Sequence, residues 1–443
     1  MNRQRKILLG LLLVLALALV AAGCGGDDDE EAGGTTAATA EETTEEQVSG
    51  SVSVMGIWVG EEQKSFQAVI EGFKEQQPDV TVKYNPVGDN LPTVLGTAVQ
   101  GGNPPDVAAI AQPGLMTQFV EQGELKPLDF AEDAVVENFG RSVVETGSVE
   151  DSFYGLLWKA NNASTVWYNV KAFEDAGVET PTTWDELLEG ADTIKASGLP
   201  AYSIAGADGW TLTDLFENIY LRTAGPEKYD QLSRHEIKWT DPSVKEALTE
   251  MAKVFRGSDN LAGGTAGALQ TDFPTSVSNV LSPNPKAAMV IEADFVPGVV
   301  KTPLKPETGY NFFTFPSIND SPASVVAKGN LVIAFRDNPA VRAFMEYLVS
   351  PESAEIWVKR GGFATPNKNV DSASYPDPLL RQTSETLAGA ETLRFDLGDL
   401  QPSAFGATVG QGMWKLFQDL LKTPSDVDKI ALQLEAAAAK AFK

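Results

Sequence analysis

Cysteine and histidine are almost missing from this chain: one of each, Cys24 and His235, in 443 residues. A lone cysteine excludes an internal disulfide, so a domain folded outside the cytoplasm must be held by its core. A lone histidine leaves transition-metal sites and Ser-His or Cys-His catalysis poorly supplied. His235 sits in a polar Ser-Arg-His-Glu setting and reads as a solvated loop residue. Positive charge is scarce as well, with 34 Lys and Arg against 61 Asp and Glu, a net charge of −27. That balance disfavours nucleic acid and anionic lipid surfaces as partners. No internal repeat is found, and no long apolar run follows the first 22 residues.

What is there begins at the N-terminus. Arg3, Arg5 and Lys6 precede an apolar stretch from Ile7 to Ala22, and Gly23-Cys24 follows. A basic segment, a short apolar segment and small residues before a cut site make a secretory signal. With the cut before cysteine, residues 1–23 resemble a bacterial lipoprotein signal peptide and Cys24 the lipidation site. The apolar run falls short of the roughly 20 residues that span a bilayer. Residues 24–50 carry the acidic run from Asp27 to Glu31 and further glutamates at 41, 42, 45 and 46. Low hydrophobicity and like charge cannot offset the entropy of ordering, so this stretch reads as a disordered acidic tether. Its acids lack the fixed spacing of a calcium loop.

Residues 51–443 are too many for one ordinary core and suit two lobes. Val52 to Trp58 alternates as a strand, and Phe66, Val69, Ile70 and Phe73 fall on one helical face. Val80 to Tyr84 reads as a strand, Leu91, Leu95, Ala98 and Val99 mark a helix, and Val107 to Ile110 is a buried strand. This alternation predicts an α/β layer fold with a parallel sheet. Further strands are expected at 164–169, 201–204, 287–291 and 329–335. Thr183-Trp184-Asp185-Glu186 has capping-box spacing. Asp241-Pro242, Asn338-Pro339, Ser350-Pro351 and Thr423-Pro424 read as helix starts, and an alanine-rich helix from Asp426 is expected to pack on a lobe.

Several motifs along this order carry a resemblance: Trp58-Val59-Gly60-Glu61-Glu62, Gly101-Gly102-Asn103-Pro104-Pro105-Asp106-Val107, Gln112-Pro113-Gly114, Tyr154-Gly155-Leu156, Trp167-Tyr168-Asn169, and Phe395 through Pro402. Together they resemble the extracellular solute-binding proteins of carbohydrate ABC importers, the maltose-binding-protein-like cluster, and most closely its alpha-glucoside-binding branch. The resemblance implies two α/β lobes and a hinge crossed three times, near 160–162, 326–330 and 366–370. Lobe 1 would be 51–160 plus 329–366, and lobe 2 161–328 plus 367–443, with ligand in the cleft between them. It implies a monomer that binds carbohydrate and meets membrane permease subunits, touches the membrane through its lipid anchor only, and uses no cofactor or metal.

A sugar needs paired partners for its hydroxyls and apolar cover for its C–H faces. Trp58 follows a strand at a turn and is expected either at the cleft wall or in the core. Glu61 and Glu62 either accept hydroxyl protons or favour the positive end of the following helix. Lys159, Asn161 and Asn162 cluster at the first crossing, as ligand contacts or hinge hydrogen bonds. Asp208 and Trp210 form a loop before a helix, with Trp210 the expected stacking ring. Asp294 and Phe295 follow a buried strand and offer an acceptor and a second ring, unless Phe295 is core. Asp399 and Phe405 lie where the resemblance places the late cleft segment, with Asp396 close by. Trp184 and Trp357 are expected in the core. Two other classes compete: a glycoside hydrolase, which would need two carboxylates roughly 5–10 Å apart, and a sensory or adhesion lipoprotein of the same fold.

Overall fold

The computed structural model describes residues 48–443 apart from Gly389 and Glu391. The signal-like segment 1–23, Cys24 and the acidic stretch to residue 47 lie outside the described residues. The strands in chain order are β1 (Gly50–Gly56), β2 (Val80–Pro86), β3 (Val107–Ile110), β4 (Ser148–Val149), β5 (Ser152–Phe153), β6 (Gly155–Asn162), β7 (Thr165–Asn169), β8 (Met289–Ile291), β9 (Tyr310–Thr314), β10 (Val325–Ala334) and β11 (Leu393–Phe395).

Alternation puts Val52 and Val54 of β1 into a core, and β1 takes β2 and β3 as parallel neighbours. The helix Gly60–Gln76 links β1 to β2 and buries Phe66, Val69, Ile70 and Phe73. β10 then adds antiparallel to β3, so the sheet is mixed where a parallel one was expected. β6 runs antiparallel to β10, and β11 parallel to it. A second sheet has the order β8-β7-β9 and is antiparallel throughout.

Two large cores result. The first gathers Val52, Phe66, Phe73, Trp158, Phe344 and Trp357. The second gathers Phe216, Ile219, Trp239, Leu248, Met251 and Phe417, with a satellite around Trp167 and Val277. The chain passes from one to the other between Ala160 and Ala163, and back within β10 between Val326 and Leu331. The last passage is drawn out. Val370, Tyr375, Leu387 and Phe395 still rest against the first core, Leu379 joins the satellite, and Leu397 enters the second core. The reason is local: the helix Pro378–Ala388 lies along this stretch, so its two faces meet different bodies.

Helix starts follow the sequence signals where the side chain reaches back. The Thr183–Glu186 capping box is formed, and Asp241, Asn338 and Ser350 cap their helices. Thr423-Pro424 does not start a helix; it ends one, and the next begins at Val427. Residues 201–204 form no strand, because Tyr202 makes only single bridges to Leu261 and Met289. His235 is not freely solvated: Nε2 lies 3.2 Å from Glu435 Oε2 and the ring packs on Phe442. Among the described residues no helix is long and apolar enough to cross a membrane.

The helix Trp210–Ser233 organises the second body. It is buried nearly all round, as an element in the middle of a domain must be, and Gly225 at φ 80° kinks it before Pro226. Because it has no solvent face along its first three turns, Asp214, Glu217 and Asn218 are carried inside with its apolar residues.

Candidate functional site

Between the two cores lies a cavity of about 440 Å³, within the usual range for small-molecule sites. The turn after β1 and the loops after β2 and β3 bring Glu62, Asp89 and Gln112 to it; the second body brings Asp208, Trp210, Phe273 and Phe295; β6 and β10 supply Lys159, Asn161, Lys328 and Asn330.

The apolar wall is built from three rings. Trp210 meets Phe273 edge-on at 5.0 Å and Phe295 at 6.2 Å, and Phe273 meets Phe295 at 5.4 Å and 90°. Edge-to-face contacts of this kind hold rings in place while leaving a face open. Gly209 makes the turn possible: its φ is 83°, and a Cβ there would lie 2.7 Å from Trp414 Cβ. Asp208 Oδ2 accepts the Phe273 N–H, which fixes the two loops to one another.

Both lysines are committed to acids of the protein itself. Lys159, 3% exposed, pairs with Glu62 Oε1 at 2.5 Å. Lys328 Nζ lies 2.6 Å from Asp214 Oδ1, 2.9 Å from Asp396 Oδ2 and 4.7 Å above the Trp210 ring. Burial alone would lower the Lys328 pKa, but Asp214 and Asp396 outweigh it and hold the ammonium above its ordinary value. Burial would likewise raise Asp396, yet the charge and hydrogen bond of Lys328 keep that carboxyl below its usual range. Asp214 is pushed up to about 7 by burial against the pull of Lys328. Glu217 and Asp399 are pushed well up, by burial first and by Asp396 next. Carboxylate oxygens of Asp214, Glu217 and Asp396 come within 4.8 Å of one another; Lys328 supplies the cation that such a cluster needs.

The structure brings Trp58, Glu61, Glu62, Lys159, Asn161, Asp208, Trp210, Phe295 and Asp399 to the cavity. Trp58 nevertheless belongs mostly to the core. It is 1% exposed, packs on Phe66 and Trp357 at 4.6 and 5.1 Å, and donates its indole N–H to Asn330 Oδ1. Glu61 pairs with Lys64, one turn further along its helix. Three expected residues do not line the cavity. Asp294 is fully buried and accepts from Asn161 Nδ2 and the Asn162 N–H, while Asn162 Oδ1 accepts from the Ser164 N–H. These bonds brace the passage from β6 to β7 rather than face a ligand. Phe405 is 1% exposed and packs edge-on to Trp239. Trp184 and Trp357 are core, as expected. Sequence reasoning missed Asp89, Gln112, Phe273, Lys328, Asn330 and Trp414. Three had a signal: Gln112 opens the Gln-Pro-Gly motif, and Lys328 and Asn330 fall within the expected second crossing.

Two α/β bodies with separate cores, joined by continuous strands around an aromatic-walled polar cavity, define a two-lobe binding protein. The chain belongs to the family described as bacterial extracellular solute-binding protein, which matches residues 59–355. The alpha-glucosides-binding periplasmic protein AglE of Rhizobium meliloti is 33% identical over 396 residues, spanning 86% of this chain and 85% of that one. The osmoprotective compounds-binding protein GgtB of Synechocystis is 30% identical over 370 residues, 82% of this chain and 87% of that one. Among solved structures, a chitin oligosaccharide binding protein superposes with a TM-score of 0.75 at 20% identity, covering 89% of this chain and 99% of the other. RafE in complex with raffinose gives 0.73 at 20%, covering 89% and 100%. At that identity the likeness is one of fold. The relatives are binding proteins rather than enzymes.

Proposed function

We propose that this protein captures an α-glucoside between its lobes and delivers it to the permease of an ABC importer. The observation that carries the reading is the cavity itself: the Trp210, Phe273 and Phe295 wall offers cover for sugar C–H faces, opposite Asp89, Gln112 and Asn161, which offer partners for hydroxyls. The 33% identity to AglE supports the glucoside class. Of the residues expected from sequence, Glu62, Lys159, Asn161, Asp208, Trp210, Phe295 and Asp399 are the proposed ligand contacts. Lobe 1 comprises 51–160 plus 329–366 and lobe 2 comprises 161–328 plus 367–443, the residues up to 395 forming the drawn-out third passage. Hinge closure around ligand is established behaviour of periplasmic binding proteins; sugar touching both lobes shifts the open and closed populations by its differential affinity. The protein acts as a monomer without cofactor, held to the outer face of the cell membrane by lipid on Cys24.

Calorimetry against a glucoside panel tests the reading, with scattering of the free and loaded protein. Binding with a smaller radius of gyration, and recovery of the sugar unchanged, is the expected result. Release of shorter saccharides would shift the reading to a hydrolase, and binding in a cell whose uptake is unaffected by deletion would shift it to a sensor.

A further inference from the structure

The charge inventory of the cavity does not balance where the rings are. Lys159 is neutralised by Glu62, and Lys328 by Asp214 and Asp396. Glu61 has Lys64. Asp89, Asp208 and Asp272 also line the cavity, and among the described residues none of them forms an ion pair. Asp89 follows β2 and Asp208 precedes the helix Trp210–Ser233, so the two carboxyls belong to opposite sides of the cleft. Asp89 is pushed up to about 6, by burial first and then by the charge of Asp208, while Lys328 and a hydrogen bond from Trp210 pull it the other way. Gln112, 4% exposed, lines the same cavity, and its Oε1 has no partner. The cavity thus holds three carboxylates without an ion pair and an unpartnered acceptor, beside three aromatic rings. Neutral hydroxyls satisfy acceptors, but they do not offset the charge of carboxylates that line the cavity from both sides. A protonated amine does both, and it gains from an aromatic face as well.

Resting on the sugar-binding reading above, we propose that the preferred ligand is a sugar carrying a protonated amino group, seated between Asp89 and Asp208 against Trp210 and Phe273. Calorimetry would compare glucose disaccharides with their glucosamine-containing counterparts and with the N-acetylated forms, which keep the nitrogen and lose its charge. The amine forms should bind at least about tenfold tighter than both uncharged forms, and added salt should weaken them selectively. Asp208→Asn keeps an oxygen for the Phe273 N–H, and with Asp89→Asn it should erase the preference in proteins whose melting is ordinary. Equal or tighter binding of the neutral sugars overturns the proposal while leaving the sugar-binding reading intact. A preference that survives in both variants overturns it too. If no carbohydrate of either kind binds, both readings fall together.

Discussion

Replacing Lys328 by methionine removes the cation from a buried cluster while keeping a long unbranched side chain. Asp396 is 2% exposed and Asp214 is fully buried, so neither can recruit water to take over. Breaking such a pair from one side usually costs about 3–5 kcal/mol. A second route gives a similar figure. In the variant the cheapest escape for Asp396 is to fold protonated, and holding a proton at pH 7 on a group whose unfolded pKa is about 3.9 costs about 4 kcal/mol. Asp214, pushed up to about 7 even beside the lysine, adds little. The same arithmetic predicts about 1.5 kcal/mol at pH 5. The sign follows from the two partners. Asp396 is depressed, so its contribution is present above its unfolded pKa and lost as pH falls through the folded one. Lys328 is raised, so its contribution is present below its unfolded pKa and lost as pH rises through the folded one. The wild-type pair is thus intact from pH 5 to 7, and the narrowing comes from the variant. Denaturant unfolding of both proteins at the two pH values measures it. A loss under 1 kcal/mol at pH 7, or one equally large at pH 5, refutes the reasoning.

Trp210→Ala should weaken glucoside binding by about 2–4 kcal/mol, some 30-fold or more, with modest change in melting temperature, because the ring is only half-buried; calorimetry and a thermal melt on one variant decide this. Gly298→Val should disturb the close approach of residues 298 and 362, because a Cβ there would lie 2.3 Å from Gly362 Cα. Each 1.4 kcal/mol of strain that the ligand-bound arrangement carries at this contact costs tenfold in apparent affinity, which calorimetry of glucoside binding measures. Cys24→Ala should release the protein from membranes or leave its precursor uncut, and normal processing with membrane fractionation would contradict the lipid anchor.

How much of this was legible in the sequence depended on whether local chemistry decided the outcome. The helix Gly60–Gln76 and the Thr183 capping box were legible because spacing alone sets which side chains meet. Residues 201–204 looked like a strand, but a strand needs neighbours in register, and Tyr202 finds only single bridges. Trp210 and Asp208 were found because aromatic and acidic residues at a glycine turn face a cleft. Phe405 was misplaced because only tertiary packing buries it on Trp239. Lys328 was passed over for the same reason in reverse. It lies in the expected second crossing, just before the strand expected at 329–335, but its partners come from positions 214 and 396, far away in the chain.

β10 has a consequence for how the protein is made. It closes the first sheet by pairing Leu331 with Ile110, about 220 residues earlier, and by pairing Val332 with Leu156. Until it emerges, β3 keeps an open edge and the first core lacks Leu331 and Phe344. At about 5–20 residues per second of synthesis, that is a wait of at least ten seconds or so. Non-local pairing is slow to form once the strand arrives. A chain delayed in this way stays incompletely folded while it is being made, and the unpaired β3 edge is the surface a holdase would have to shield meanwhile.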